Sequence, residues 1–370
     1  MKLLHAADLH LDSAFAGLSD REAALCREES RTTVRRLVDW GNDHGADVML
    51  LAGDLFDSDR LYSQTAQTLA LALGRFRGKI FLAPGNHDFY APGSSYDTVV
   101  WPENVHIFTA PTARTVALPE LNASVTGAAF TAAEERTGLD GAAFSGDDAP
   151  IRLGVLHGEV TAGESRYRPI SPAEIEKTGL TYLALGHVHR FGGVQRAGAT
   201  AYAYPGCLPG RGFDETGDKG FLFGEVTEKG ADLDFIPFAR RRYLSVTADI
   251  TDRDPAEAVR RALGPGCGGD VCRVLLTGAR REDFSLSALE EELTGLCAEL
   301  TFSDETYPEE DIWARCGEDS LRGLFLQELR GRYDEASEEE KKEILLAVRF
   351  GLAALDNREG NETSFGDVAV

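Results

Sequence analysis

Five short motifs gather the residues of this chain that can hold a metal. They read Asp8-Leu9-His10, Gly53-Asp54-Leu55-Phe56-Asp57, Gly85-Asn86-His87-Asp88, His157-Gly158 and Gly186-His187-Val188-His189. Asp8 and His10 stand two apart, and in an extended chain residues i and i+2 point to one side. Both can then reach one cation, and the same reasoning applies to His187 and His189. Asp54 follows the run VMLLAG, where Gly53 allows a tight exit, and its carboxylate can bridge two cations. Asn86 adds a neutral amide oxygen, and His157 follows the apolar run RLGVLH. This mixed oxygen and nitrogen set suits Mn²⁺, Fe or Zn²⁺ better than Ca²⁺, which prefers oxygen alone. Two such ions about 3.5–4 Å apart clamp a phosphate ester and lower the pKa of a bound water. His87 is then free to protonate the leaving oxygen, and Asp88 to orient it. Singly, each motif has a bland reading as a cap, turn, strand edge or core histidine. Together they hold five of the eight histidines, and each follows an apolar strand.

Those strands define the elements that must position the site. Strands are expected at Lys2–Ala6, Val48–Ala52, Lys79–Ala83, Val105–Phe108, Ile151–Leu156, Tyr182–Leu185 and Ala199–Tyr204, with a hairpin over Phe221–Val226 and Asp232–Phe238. Helices are expected near Arg21–Gly41, Ser63–Phe76 and Pro172–Thr178. The fold class is α/β (α+β), a sandwich of two facing sheets with helices outside, covering residues 1–243. The polar, Gly/Ala-rich stretch 131–150 reads as a surface helix and loop. A small βαβαβ cap is expected over 244–305, a helical region over 306–358, and a frayed tail over 359–370. Ile344, Leu345, Val348, Leu352 and Leu355 form an apolar stripe, which either packs on its own chain or docks a partner.

Composition sets limits. With 43% hydrophobic residues the chain can build a core, and no run of about 18 apolar residues predicts a membrane span. A cytoplasmic location is expected. The six cysteines form no CxxC pair and read as reduced structural thiols. The net charge of −23 is unusual for a nucleic-acid enzyme. It is uneven: residues 1–243 carry 24 basic against 32 acidic side chains, and residues 244–370 carry 14 against 29. Most of the excess acid lies away from the motifs.

The order D-x-H, GD, GNHD, H and GHxH resembles the calcineurin-like metallophosphoesterase superfamily over roughly residues 1–240. The segments LLHAADLHLDSAF, Trp101–His106 and 204–221 are similar to its bacterial DNA repair exonuclease branch, the SbcD- and YhaO-type proteins. That resemblance implies one metal on Asp8, His10, Asp54 and His189, and a second on Asp54, Asn86, His157 and His187. It implies His87 as acid or transition-state stabiliser with Asp88 as partner. It also implies Mn²⁺, a homodimer, DNA as substrate, and an SMC-like coiled-coil ATPase docked on the C-terminal helices. Archaeal and eukaryotic relatives carry His three residues after the bridging Asp, where this chain, like many bacterial members, has Asp57. Arg211, among the glycines of 210–217, is a candidate phosphate contact, or else a turn residue. Arg240–Arg242 reads as a salt-bridged linker or a phosphate contact. Three functions compete: a DNA nuclease acting in repair, a phosphodiesterase or phosphatase for small nucleotides or phosphoproteins, and a non-catalytic ATPase subunit.

Overall fold

Short, wholly buried strands dictate this architecture. Val48–Leu51 is buried at all four positions, as a strand covered on both faces must be. In a computed structural model describing residues 1–15, 20–57, 63–144, 148–308 and 313–358, strands of this kind form the middle of two six-stranded sheets. The first runs in the order Gly230–Pro237, Gly220–Thr227, Lys2–Ala6, Val48–Leu51, Lys79–Leu82, Val105–Ile107. Its last four strands are parallel, Gly220–Thr227 is antiparallel to Lys2–Ala6, and Gly230–Pro237 turns back antiparallel to Gly220–Thr227. The second sheet runs Gln195–Ala197, Thr200–Ala203, Tyr182–Gly186, Ile151–His157, Ala123–Gly127, Arg114–Leu118, with four parallel strands inside two antiparallel edges.

Leu3, Val48, Leu50 and Phe81 of the first sheet share one core with Val125, Leu153, Val155 and Tyr182 of the second. Helices Asp20–Asp43 and Ser63–Leu73 cover the outer face of the first sheet through Val34, Leu37, Leu69 and Leu73. Helix Pro172–Thr178 covers the second through Ile175. The expected two-sheet sandwich with helices outside is therefore what forms.

The chain divides into two compact units. The first holds Met1–Val246, Leu263–Arg273 and Gly295–Thr301, and the second holds Thr247–Ala262, Val274–Thr294 and the chain from Phe302 on. A boundary at 243/244 is thus too simple. Asp270 accepts from the Arg242 backbone at 2.9 Å and its guanidinium at 2.6 Å, and Ala298 N–H donates to the Asp270 carbonyl at 3.0 Å, which ties these stretches together. The cap elements keep their expected order: Tyr243–Asp249, helix Pro255–Leu263, Val271–Thr277, helix Leu286–Glu292 and Glu299–Asp304, the three strands forming one sheet.

In the C-terminal pair, Leu321–Glu335 and Glu338–Arg358, Val348 is buried and Ile344, Leu345, Leu352 and Leu355 are half-buried. The Phe325 ring leaves no room for a Cβ at Gly351. The stripe packs on its own chain. Residues 359–370, expected as a frayed tail, lie outside the described residues. Strands Arg114–Leu118, Ala123–Gly127 and Gln195–Ala197 escape the sequence reading because they are short and hold small or charged residues. In 131–150, the only helical element among the described residues is the 3₁₀ turn Gly141–Phe144.

Candidate metal centre

All five motifs leave the C-terminal ends of parallel strands, where open α/β sheets place their ligands. Lys2–Ala6 delivers Asp8 and His10, Val48–Leu51 delivers Asp54, and Lys79–Leu82 delivers Asn86 and His87. Ile151–His157 ends on His157 itself, and Tyr182–Gly186 delivers His187 and His189. The exits are not extended. Asp8, His10, Asp54 and His187 have φ of 52°, 41°, 49° and 112°. The rule that i and i+2 share a side in a strand therefore does not place these ligands, because the strands end before them. Left-handed backbone at non-glycine residues costs about 1–3 kcal/mol each and clusters at functional sites. Gly53, with φ of 85°, is needed on two counts, since a Cβ there would lie 2.6 Å from His157 Nδ1.

In the first half of the site, Asp8, His10 and His189 bring their ligand atoms together. His10 Nε2 faces His189 Nε2 at 3.1 Å, and His189 Nε2 lies 3.9 Å from Asp8 Oδ1. His10 Nδ1 meets Asp57 Oδ1 at 3.0 Å, and His189 Nδ1 meets Glu215 Oε1 at 2.6 Å. Burial works against charge on both carboxylates. Even so, the hydrogen bond from His10 draws Asp57 below its ordinary range, and the bonds from His189 and Arg211 do the same for Glu215. An ionised carboxylate only accepts, so each Nδ1 carries a hydrogen. Two Nε2 atoms are left facing each other, and both would be ligands to one divalent cation held here.

In the second half, Asp8, Asp54 and His157 form another cluster. His157 Nδ1 donates to the Ala52 carbonyl at 2.9 Å, turning Nε2 toward Asp54 Oδ2 at 3.3 Å and Asn86 Oδ1 at 2.9 Å. His10 Nε2 lies 3.9 Å from the same Asp54 Oδ2, so this carboxylate stands between the halves as a bridge must. Burial opposes the His157 charge, yet Asp54 overrides it and lifts His157 to about 9. In turn, against its own burial, Asp54 is held well down by the His157 charge. Burial lifts Asp8 to about 7. A proton on His157 thus sits where a cation would meet two oxygens and a nitrogen. The donors of both halves fit two divalent cations.

His187 is less engaged. Its backbone N–H donates to Asp8 at 3.0 Å, while its ring lies 5.3 Å from that of His157 and 4.9 Å from that of Tyr167. Burial, then the His157 charge, lowers it to about 4, so it is neutral and able to ligate near pH 7. His87 is exposed beside the first half, its ring 5.0 Å from that of His10 and its backbone N–H donating to Asp54 Oδ1 at 2.9 Å. A solvent-facing imidazole at that place suits proton transfer.

One expectation is corrected. Asp88 does not orient the His87 ring. Its buried carboxylate accepts from the backbone N–H groups of Leu55 at 2.7 Å, Phe56 at 3.2 Å and Gly85 at 2.7 Å, and from the Tyr96 hydroxyl at 2.5 Å. It pins the Asp54 and Asn86 loops to one another. Arg211, the candidate phosphate contact, has its guanidinium engaged by carboxylates. Nη1 donates to Asp57 at 2.8 Å and Nη2 to Glu215 at 2.8 Å. Arg240–Arg242 behaves as the salt-bridged linker, with Arg241 on Glu29 at 3.4 Å and Arg242 on Asp270 at 2.6 Å. Sequence reasoning missed the roles of Glu215, Tyr96 and Lys219. No spacing marks them, since each meets the site only through folding.

Known proteins share this sequence pattern. The family model described as calcineurin-like phosphoesterase matches residues 1–191. A Bacillus subtilis protein named "Uncharacterized metallophosphoesterase YhaO" is 30% identical, over 93% of this chain and 95% of its own. A protein of Methanopyrus kandleri named "DNA double-strand break repair protein Mre11" is 23% identical, over 78% of this chain and 68% of its own. One of the same name from Aeropyrum pernix is 26% identical, over 71% and 67%. Among the described residues no helix is long and apolar enough to cross a membrane. With a donor set for two divalent cations at the strand ends and this family match over its first half, the chain belongs to the calcineurin-like phosphoesterases and is a metal-dependent phosphoester hydrolase.

Proposed function

We propose that this protein is a two-metal DNA nuclease, an exonuclease acting in DNA repair with Mn²⁺. The observation that carries the reading is the donor set shared by two clusters, with exposed His87 beside it. DNA is preferred to smaller esters because the similarity to proteins named for double-strand break repair spans 78% and 71% of the chain, well past the family model's end at residue 191. We read the protein as a homodimer that works in the cytoplasm with an SMC-like coiled-coil ATPase. The apolar residues left exposed on the C-terminal helices, Leu321, Leu324, Leu346 and Phe350, are the docking contact.

Linear duplex DNA labelled at the 3′ or 5′ end, incubated with Mn²⁺ and the purified protein, tests this. Shortening by wild type and none by His87→Ala, at equal metal content, is expected. Intact DNA, with a model phosphodiester hydrolysed, would move the assignment to small phosphoesters, which the net charge of −23 suits better.

A further inference from the structure

We infer that Arg211 and Glu215, together with Asp57, are positioning residues that set the two histidines of the first half of the site, and that the 207–219 segment is a cradle for those histidines. The inference rests on the two-metal reading of the site, but not on DNA as the substrate.

The segment meets His189 at both its backbone and its ring. The His189 carbonyl accepts from Cys207 N–H at 3.3 Å and from Lys219 Nζ at 2.9 Å. Its Nδ1 meets Glu215 at 2.6 Å. Leu208 N–H donates to the Asp8 carbonyl at 3.2 Å, so the same segment also holds the motif that carries His10. Gly210–Glu215 closes on itself: the Glu215 N–H reaches the Gly212 carbonyl at 3.0 Å, and the Arg211 N–H reaches Glu215 Oε2 at 2.8 Å. Glu215 is 5% exposed, and a carboxylate so buried requires a cation. Arg211 provides it and, through its second arm, ties Glu215 to Asp57.

One guanidinium thereby fixes two carboxylates, and each carboxylate fixes the tautomer and direction of one histidine. Carboxylates placed behind ligating histidines raise ligand basicity, and losing one weakens metal binding about 10–100-fold. Arginine suits the task because its planar fork serves two acceptors at once, which a lysine ammonium cannot do in the same geometry. Among the described residues the cradle makes no hydrogen bond to Asn86, His157 or His187. Its loss therefore acts on one metal and spares the other.

The test is Mn²⁺ titration by calorimetry on the full-length chain, comparing wild type with Glu215→Gln, Arg211→Ala and Arg211→Lys. One Mn²⁺ equivalent weakened about 10–100-fold in Glu215→Gln, with the other unchanged, is expected. Arg211→Ala should follow it, and Arg211→Lys should recover only part of the loss. Glu215→Gln preserves side-chain shape and keeps the test decisive if Arg211→Ala does not fold. Unchanged Mn²⁺ affinities together with a raised KM for a phosphodiester in Arg211→Ala would overturn the inference and restore a phosphate contact. Both equivalents weakening equally, with a lower melting temperature of the metal-free chain, would reduce the segment to a fold element. Because metal affinity is the readout, failure of the protein to cut DNA would leave this result standing.

Discussion

The two halves of the metal centre are braced by different materials. His10 and His189 each have a carboxylate behind them, joined through Arg211. His157 has the Ala52 carbonyl behind it, at the end of a central strand, and the His187 ring has aromatic neighbours. A carboxylate brace adds negative charge and raises the basicity of its histidine. A carbonyl brace fixes the ring without adding charge. The second half compensates through Asp54, whose charge acts on His157 at 3.3 Å. One half thus depends on side chains that single substitutions can remove, and the other on the sheet itself.

The largest expected effect breaks both halves together. Asp54 lies within 3.9 Å of His10 Nε2 and 3.3 Å of His157 Nε2, so Asp54→Asn removes charge from both. Metal content by mass spectrometry should fall for both equivalents, and hydrolysis of a model phosphodiester should drop well beyond the roughly 10–100-fold of a bracing residue. Retention of one full equivalent would mean that Asp54 does not bridge. Next in size is His87→Ala. Its ring borders the first half and meets only the Asp57 backbone carbonyl, at 3.4 Å, so hydrolysis should fall by about 10²–10⁴-fold with both metals retained. A loss of metal instead of rate would make His87 a ligand.

A third test separates the halves by pH. Metal ligands must shed their protons, so affinity depends on the pKa values of the metal-free site. His157 is lifted to about 9 and Asp8 to about 7. Below pH 7 both protons compete with the metal. Between 7 and 9 only the His157 proton does, and above 9 neither. Affinity at the second half should rise about tenfold per pH unit for each competing proton and level off above 9. Calorimetry in buffers of different ionisation enthalpy would count the protons released. A flat affinity from pH 6 to 9 would show that the His157–Asp54 pair does not hold a proton.

The donors were legible in the sequence because each follows a strand made of one apolar run. Val48–Leu51 can be little else than a buried strand, and the residues just after Leu51 must lie at a sheet end. The braces were not legible. Glu215 lies 26 residues from His189, and Arg211 lies 154 from Asp57, so no local pattern ties them. The departure at Asp57 was visible as a residue type, and its partner on the far side of the fold was not. Neighbours in sequence also misled, since the adjacency of Asp88 to His87 implied a pair that the turn separates. The same turn hides Asp88 from solvent while leaving His87 exposed.

The smallest expected effect tests that separation. Tyr96→Phe removes the hydroxyl that donates to Asp88 at 2.5 Å and leaves three backbone N–H donors in place. A hydrogen bond to a charged group contributes about 1.5–3 kcal/mol. In a unit of this size each kcal/mol moves the melting temperature by roughly 2–4 °C. Were Asp88 paired with the His87 imidazole, the substitution would also lower the rate of phosphodiester hydrolysis by the folded enzyme. With Asp88 acting on loops, the melting temperature should fall and that rate should stay where it is. The expected lower stability with unaltered rate stems from where the carboxylate points: toward the amides of Leu55, Phe56 and Gly85, which it holds together so that a carboxylate oxygen of Asp54 and the amide oxygen of Asn86 can face the same nitrogen of His157.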